Sequence, residues 1–154
     1  PISQLGKPGD YDAAKGGVAR SWKIYVVSTR NEPLGKDGVA RGDFSLADWV
    51  PLLSFASGAL PKDALEPHVP RVNSRGTYLA TQFDATAAGT GKFTLTGEAI
   101  GAWVNGTPVP AGSQMTAPIK AGRNTIVLRI DRPNLVDALK LESADVTFVT
   151  GELK

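Results

Sequence analysis

The chain contains no cysteine. Disulfides, thiolate metal sites, a cysteine nucleophile and haem attachment through Cys-x-x-Cys-His are therefore excluded within it. Histidine occurs once, as His68 in "EPHVPR". One imidazole builds no His-rich metal site, and no serine accompanies it in a G-x-S-x-G frame. His68 reads as a loop residue between two prolines. Strong charge of either sign is also lacking: the formal net charge is +2, with lysine and arginine scattered along the chain. A nucleic-acid interface needs a basic patch, and none is written here. Apolar runs are short and broken by Pro or Gly, well below the ~20 residues of a membrane-spanning helix. Neither an initiator Met nor a signal peptide opens the chain, which reads as a piece of a larger protein.

What is abundant is punctuation. The 154 residues include 17 glycines and 11 prolines, spread along the chain, with a 42% hydrophobic content sufficient for one core. Glycine and proline at this spacing mark turns between short strands. Residues 1–20 are polar and Gly-rich and read as a linker or arm; residues 21–154 read as one domain. "SWKIYVVS" is the first strand, with Trp22, Ile24 and Val26 on one face and Lys23, Tyr25 and Val27 on the other. Residues 44–60 carry mixed signals. Ser45 suits a helix N-cap, but Pro51 stops a helix, and "LLSFA" suits an edge strand.

The second half alternates more cleanly. "TYLATQFDA" sets Leu79, Thr81 and Phe83 on one face; "KFTLTG" turns Phe93 and Leu95 inward. "RNTIVLRID" sets Ile126, Leu128 and Ile130 against Thr125, Val127 and Arg129, and Leu139, Leu141, Val146 and Phe148 continue the pattern. Short, alternating, turn-separated strands predict an all-β antiparallel sandwich. Burying each large aliphatic contributes roughly 1.5–3 kcal/mol, so such a core needs no metal or disulfide.

"GAWVNGTPVPAG" (101–112) contains the strongest local signal. Asn105-Gly106 between apolar segments predicts a type I′ hairpin, because both residues tolerate positive φ. Pro108 has no N–H to give a ladder, which places the second strand at an edge or bulge. "AGRNTIVLRID" follows downstream with its own turn at Ala121-Gly122. A "W-V-N-G" hairpin followed by a "G-x-N" turn and a β-branched strand resembles the jelly-roll modules of the galactose-binding-like superfamily, over about residues 76–149. The resemblance implies a non-catalytic accessory domain of a larger exported bacterial protein, periplasmic or extracellular. It implies a glycan or neighbouring domains of the parent as partner. Such modules often hold a structural calcium with loop carboxylates, and Asp37 and Asp43, in one Gly-rich loop, are compatible with such a site; the other reading is that they are solvated surface carboxylates and the chain needs no cofactor. The same half, with "LSFASGALP" upstream, resembles the β-rich tail of haem-containing dehydrogenase-like proteins of Planctomycetes and Verrucomicrobia. Their haem site belongs to a separate Cys-containing domain, so no redox role follows.

The candidate ligand-binding residues are Trp49, Trp103 and Asn105. An exposed indole stacks on a sugar ring; a packed one caps a core, and large aromatics are highly buried on average. Trp103 lies on an alternating strand and Trp49 beside Pro51, where loops gather. Asn105 is accounted for by its turn, although "NGT" matches a glycosylation sequon. "RGD" at 41–43 has low specificity, and "GTGK" at 89–92 lacks the frame of a phosphate loop. The carboxylates, scattered from Asp10 to Asp137, show no fixed spacing for catalysis or metal binding. The alternative to glycan binding is a structural or protein-interaction module with no small ligand.

Overall fold

The computed structural model describes residues 17–27, 39–45, 49–69, 77–130 and 138–154. Among the described residues, eleven strands form two antiparallel sheets. The larger runs in the order β2 (Val50–Leu53), β1 (Ser21–Val26), β4 (Thr77–Ala85), β9 (Gly122–Ile130), β6 (Gly101–Val104) and β7 (Thr107–Val109), with β11 (Thr147–Phe148) also on β4. The smaller runs β3 (Leu60–Pro61), β10 (Ala138–Glu142), β5 (Gly89–Thr96) and β8 (Gln114–Ile119). From β4 onward the chain passes repeatedly from one sheet to the other, so successive segments close opposite walls of one core. This is the antiparallel sandwich that the alternation predicts. No described helix is long and apolar enough to cross a membrane.

Period-two burial explains the inner walls. Leu79 and Phe83 of β4 and Ile126, Leu128 and Ile130 of β9 face Phe93 and Leu95 of β5, Met115 and Ala117 of β8, and Leu139 and Leu141 of β10. Ile126 and Leu128 are 0% exposed and Ile130 2%. Phe83, Phe93 and Phe148 form an aromatic node, with ring centroids 5.2–6.4 Å apart. Thr81 shares this wall and is satisfied by donating its hydroxyl to the Ser21 carbonyl at 2.7 Å.

The edges follow from proline. β7 is an edge strand, and Pro108 sits in it opposite Trp103. β2 is the other edge of the larger sheet, but it starts at Val50 and includes Pro51, whereas the sequence suggests a strand only after that proline. Ser54 N donates to Arg20 O at 3.0 Å. Antiparallel alternation then turns the Pro51 backbone nitrogen to the free side, where its missing hydrogen costs nothing. After Leu60 the chain makes a four-residue helical turn, Lys62–Leu65, and a 3-10 turn, Glu66–His68. Residues 17–20, assigned to the arm by composition, dock on β10: Ala19 N donates to Leu141 O at 3.0 Å, Ser143 N to Gly17 O at 2.9 Å, and Ala19 is 0% exposed.

The two quoted turns are joined through side chains. Asn105 adopts φ 52° and Gly106 φ 84°, the positive pair of a type I′ turn. Asn124 is 1% exposed. Its Oδ1 accepts from Asn105 Nδ2 at 2.8 Å and Lys120 N at 2.9 Å. Its Nδ2 donates to Lys120 O at 2.8 Å and Gly122 O at 3.0 Å, so the buried amide is fully satisfied. Asn105 Oδ1 in turn accepts from Thr125 N at 3.0 Å. Replacing Asn124 with Ala leaves several buried groups unpaired and is expected to cost about 2–4 kcal/mol in urea unfolding. Asn105→Ala is expected to cost less, and a double-mutant cycle to show coupling of about 1 kcal/mol.

Candidate functional site

The larger sheet is buried on both faces at its centre. A two-sheet sandwich predicts one buried face per sheet, and the outer face of β1, β4 and β9 departs from this. Tyr25, Val27, Tyr78, Ala80 and Val127 form a second apolar cluster there with Val39 and Trp49, joined by the half-buried Phe44 and Trp103. The covering residues come from 39–45 and Trp49. Close approach is possible because Gly42, at φ 68°, has no side chain: a Cβ there would collide with Thr125 Cγ2. Gly42→Ala is expected to destabilise the protein by about 1–3 kcal/mol through strain and overlap, read as a lowered unfolding midpoint.

This cover accounts for Trp49. Its ring packs edge-on against Tyr25 at 5.2 Å and Phe44 at 5.1 Å, and its Nε1 donates to Asp43 O at 2.9 Å. At 7% exposure it lies inside the cluster, not on a loop surface as its neighbour Pro51 suggests. Asn105 spends its side-chain amide on Asn124 and Thr125. Trp22 is 1% exposed between the sheets.

Trp103 is different. It sits on the outer face of β6, half-buried, in register with Val127 on one side and Pro108 on the other. Its ring centroid lies 5.8 Å from that of Tyr78. Its six-membered ring lies over Gly101, where a Cβ would stand 2.9 Å from Cη2. One neighbouring row runs Tyr25, Tyr78, Arg129, Gly101 across four strands. The patch thus combines a partly open indole with a cation, Arg129. The periodicity assigns Arg129 to this face, but nothing in a single strand shows that β6 brings Trp103 beside it.

Asp37 lies outside the described residues. Asp43 is engaged locally: Oδ1 accepts from Ser45 N at 3.1 Å and from Ser45 Oγ at 2.5 Å. Those hydrogen bonds, the hydroxyl one first, and the nearby Arg41 charge hold its carboxyl below the usual carboxylate range. Ser45 thereby closes a turn with Asp43; the helical turn that its position suggests, through Asp48, lies outside the described residues. Among the described residues no three His, Cys, Asp or Glu side chains converge as a metal site would require. A cleft of about 470 Å³ opens on the smaller sheet between Gly17, Val18, Lys92, Thr94 and 142–145. Within it Asp145 Oδ2 accepts from Lys92 N at 2.8 Å, and Glu142 is drawn to Lys140 Nζ outside the cleft, 3.8 Å away.

Solved structures similar to the chain include a chitosanase and a carbohydrate binding module. The exo-chitosanase CsxA of Amycolatopsis orientalis, in complex with PNP-beta-D-glucosamine, aligns with 82% of this chain and 20% of its own, at 13% identity and TM-score 0.50. A family 35 carbohydrate binding module from an environmental isolate aligns with 50% of this chain and 73% of its own, at 18% identity and TM-score 0.38. The chain therefore spans about one fifth (20%) of the chitosanase chain, and at 13% identity the likeness is one of fold. No protein-family model and no curated protein sequence matches.

The Asp43 turn has a pH signature. A carboxyl whose folded pKa is depressed adds stability above its ordinary range, near 4, and loses it as pH falls through the depressed value. The Trp49 indole N–H signal in ¹⁵N NMR is therefore expected to shift below about pH 4 in the native protein. The same acid-range shift is expected to be absent from Asp43→Asn.

Proposed function

We propose that this chain is a non-catalytic accessory module of a larger exported bacterial protein, and that it binds a carbohydrate on the outer face of its larger sheet. The carrying observation is Trp103, held half-open over Gly101 and backed by Tyr78. A partly exposed indole on a rigid sheet offers an apolar plane to the C–H face of a sugar, while its buried side fixes its orientation. The sandwich fold shared with part of a chitosanase chain supports a modular role. A hydrolase parent fits that role directly; a haem-bearing parent would leave the module a packing task. A bound calcium, where present, would act structurally and would draw on loop oxygens near Asp43.

The packing alternative has its own surface. Val50, Leu53 and Phe55 are 45%, 71% and 61% exposed along and just beyond the β2 edge. An apolar strip at a sheet margin suits contact with a neighbouring domain.

Glycan-array screening followed by titration calorimetry separates the readings. Trp103→Ala is expected to weaken saccharide binding at least tenfold, roughly 1.4 kcal/mol, with a smaller effect on the unfolding midpoint than Trp49→Ala. No saccharide signal, with Leu53→Asp weakening attachment to the parent's adjoining domain, would favour the packing role.

A further inference from the structure

Arg129 stands beside Trp103 on the half-open patch. The alternation of β9 sends it outward with Thr125 and Val127, in register with Tyr78 on β4 and Gly101 on β6. Its Cζ lies 5.9 Å from the Tyr78 ring centroid, and Tyr78 is only 6% exposed. Its Nε is buried and has no hydrogen-bond partner among the described residues. No carboxylate among the described residues pairs with it. The ring contact compensates the charge only in part, since a cation–π pair contributes about 0.5–2 kcal/mol.

The geometry turns this into a recognition element. One side of the guanidinium is dehydrated and held against Tyr78, while the residue as a whole is only half-buried. Low surrounding polarity strengthens the attraction between such a charge and an incoming anion. Planar N–H groups match the paired oxygens of carboxylates and of sulfate-like groups. The stem is anchored at the same glycine as the indole: a Cβ on Gly101 would stand 2.9 Å from Trp103 Cη2 and 3.6 Å from Arg129 Cβ. A sugar ring on the indole would therefore place a ring substituent within reach of the cation.

We infer that the saccharide bound on this face carries an anionic substituent, a carboxylate or a sulfate ester, paired by Arg129 while the sugar ring lies on Trp103. The inference rests on the carbohydrate-binding reading and narrows its ligand class. The whole chain is tested on an array bearing uronic-acid, sulfated and neutral versions of the same oligosaccharides. Titration calorimetry of each type at low and high NaCl follows. One anionic type is expected to bind at least about tenfold tighter than its neutral counterpart, with the advantage shrinking as salt rises. Which type does so distinguishes carboxylate from sulfate. Arg129→Gln is expected to reduce the anionic probe to the neutral level, and Arg129→Lys to keep part of the advantage. Thermal unfolding of both variants checks that they fold, and the native salt dependence stands without them. Equal, Trp103-dependent binding of anionic and neutral probes would overturn the inference and leave the carbohydrate reading intact. An anionic preference retained in a folded Arg129→Gln protein would overturn it by placing the anion elsewhere. Absence of all saccharide binding would overturn both.

Discussion

The organising constraint is the burial of β4 and β9 on both faces. They pair over nine residues each, from Thr77↔Ile130 to Ala85↔Gly122, and every other element packs against this ribbon or its neighbours. Their inner side chains meet the smaller sheet; their outer ones, Tyr78, Ala80 and Val127, require a second cover. That requirement explains why 39–45 lies flat on the sheet, why position 42 is glycine, and why Trp49 is inside. The cover does not enclose the β6 margin. Trp103 and Arg129 are the large side chains that remain half-open there.

Polar groups inside this arrangement act as register pins. A one-residue slip of β9 against β6 would move Ile126 and Leu128 out of the core and pull Asn124 away from the Asn105 turn. Hydrophobic burial supplies most of the energy, yet it tolerates some rearrangement. The Asn124 amide, with four partners at fixed positions, tolerates little.

Much of this was readable from the residues, for identifiable reasons. The inward set Leu79, Phe83, Ile126, Leu128, Ile130 has period two, and strand geometry permits only one interpretation of that period. Asn105-Gly106 names its own turn because few residues accept positive φ. The cover over the outer face was not readable. Val39, Phe44 and Trp49, which supply the apolar cover, share no strand or helix period that would mark them in the sequence as one face. Trp49 looked available because Pro51 follows it, but its fate was decided by Tyr25 and Phe44, distant or aperiodic in sequence. Arg129 was visible as an outward residue of an alternating strand. Its pairing with Trp103 depends on β6 lying beside β9, a fact of topology that neither segment carries alone.

Ser21 sits where β1 parts from β4 and β11 takes the vacated place. Its carbonyl receives the Thr81 hydroxyl, and its own hydroxyl accepts from Gly151 N at 3.0 Å. One serine thus ties the start of β1 to β4 through its carbonyl and to the residues after β11 through its hydroxyl, so that segments 130 positions apart in the chain are fastened at a single point.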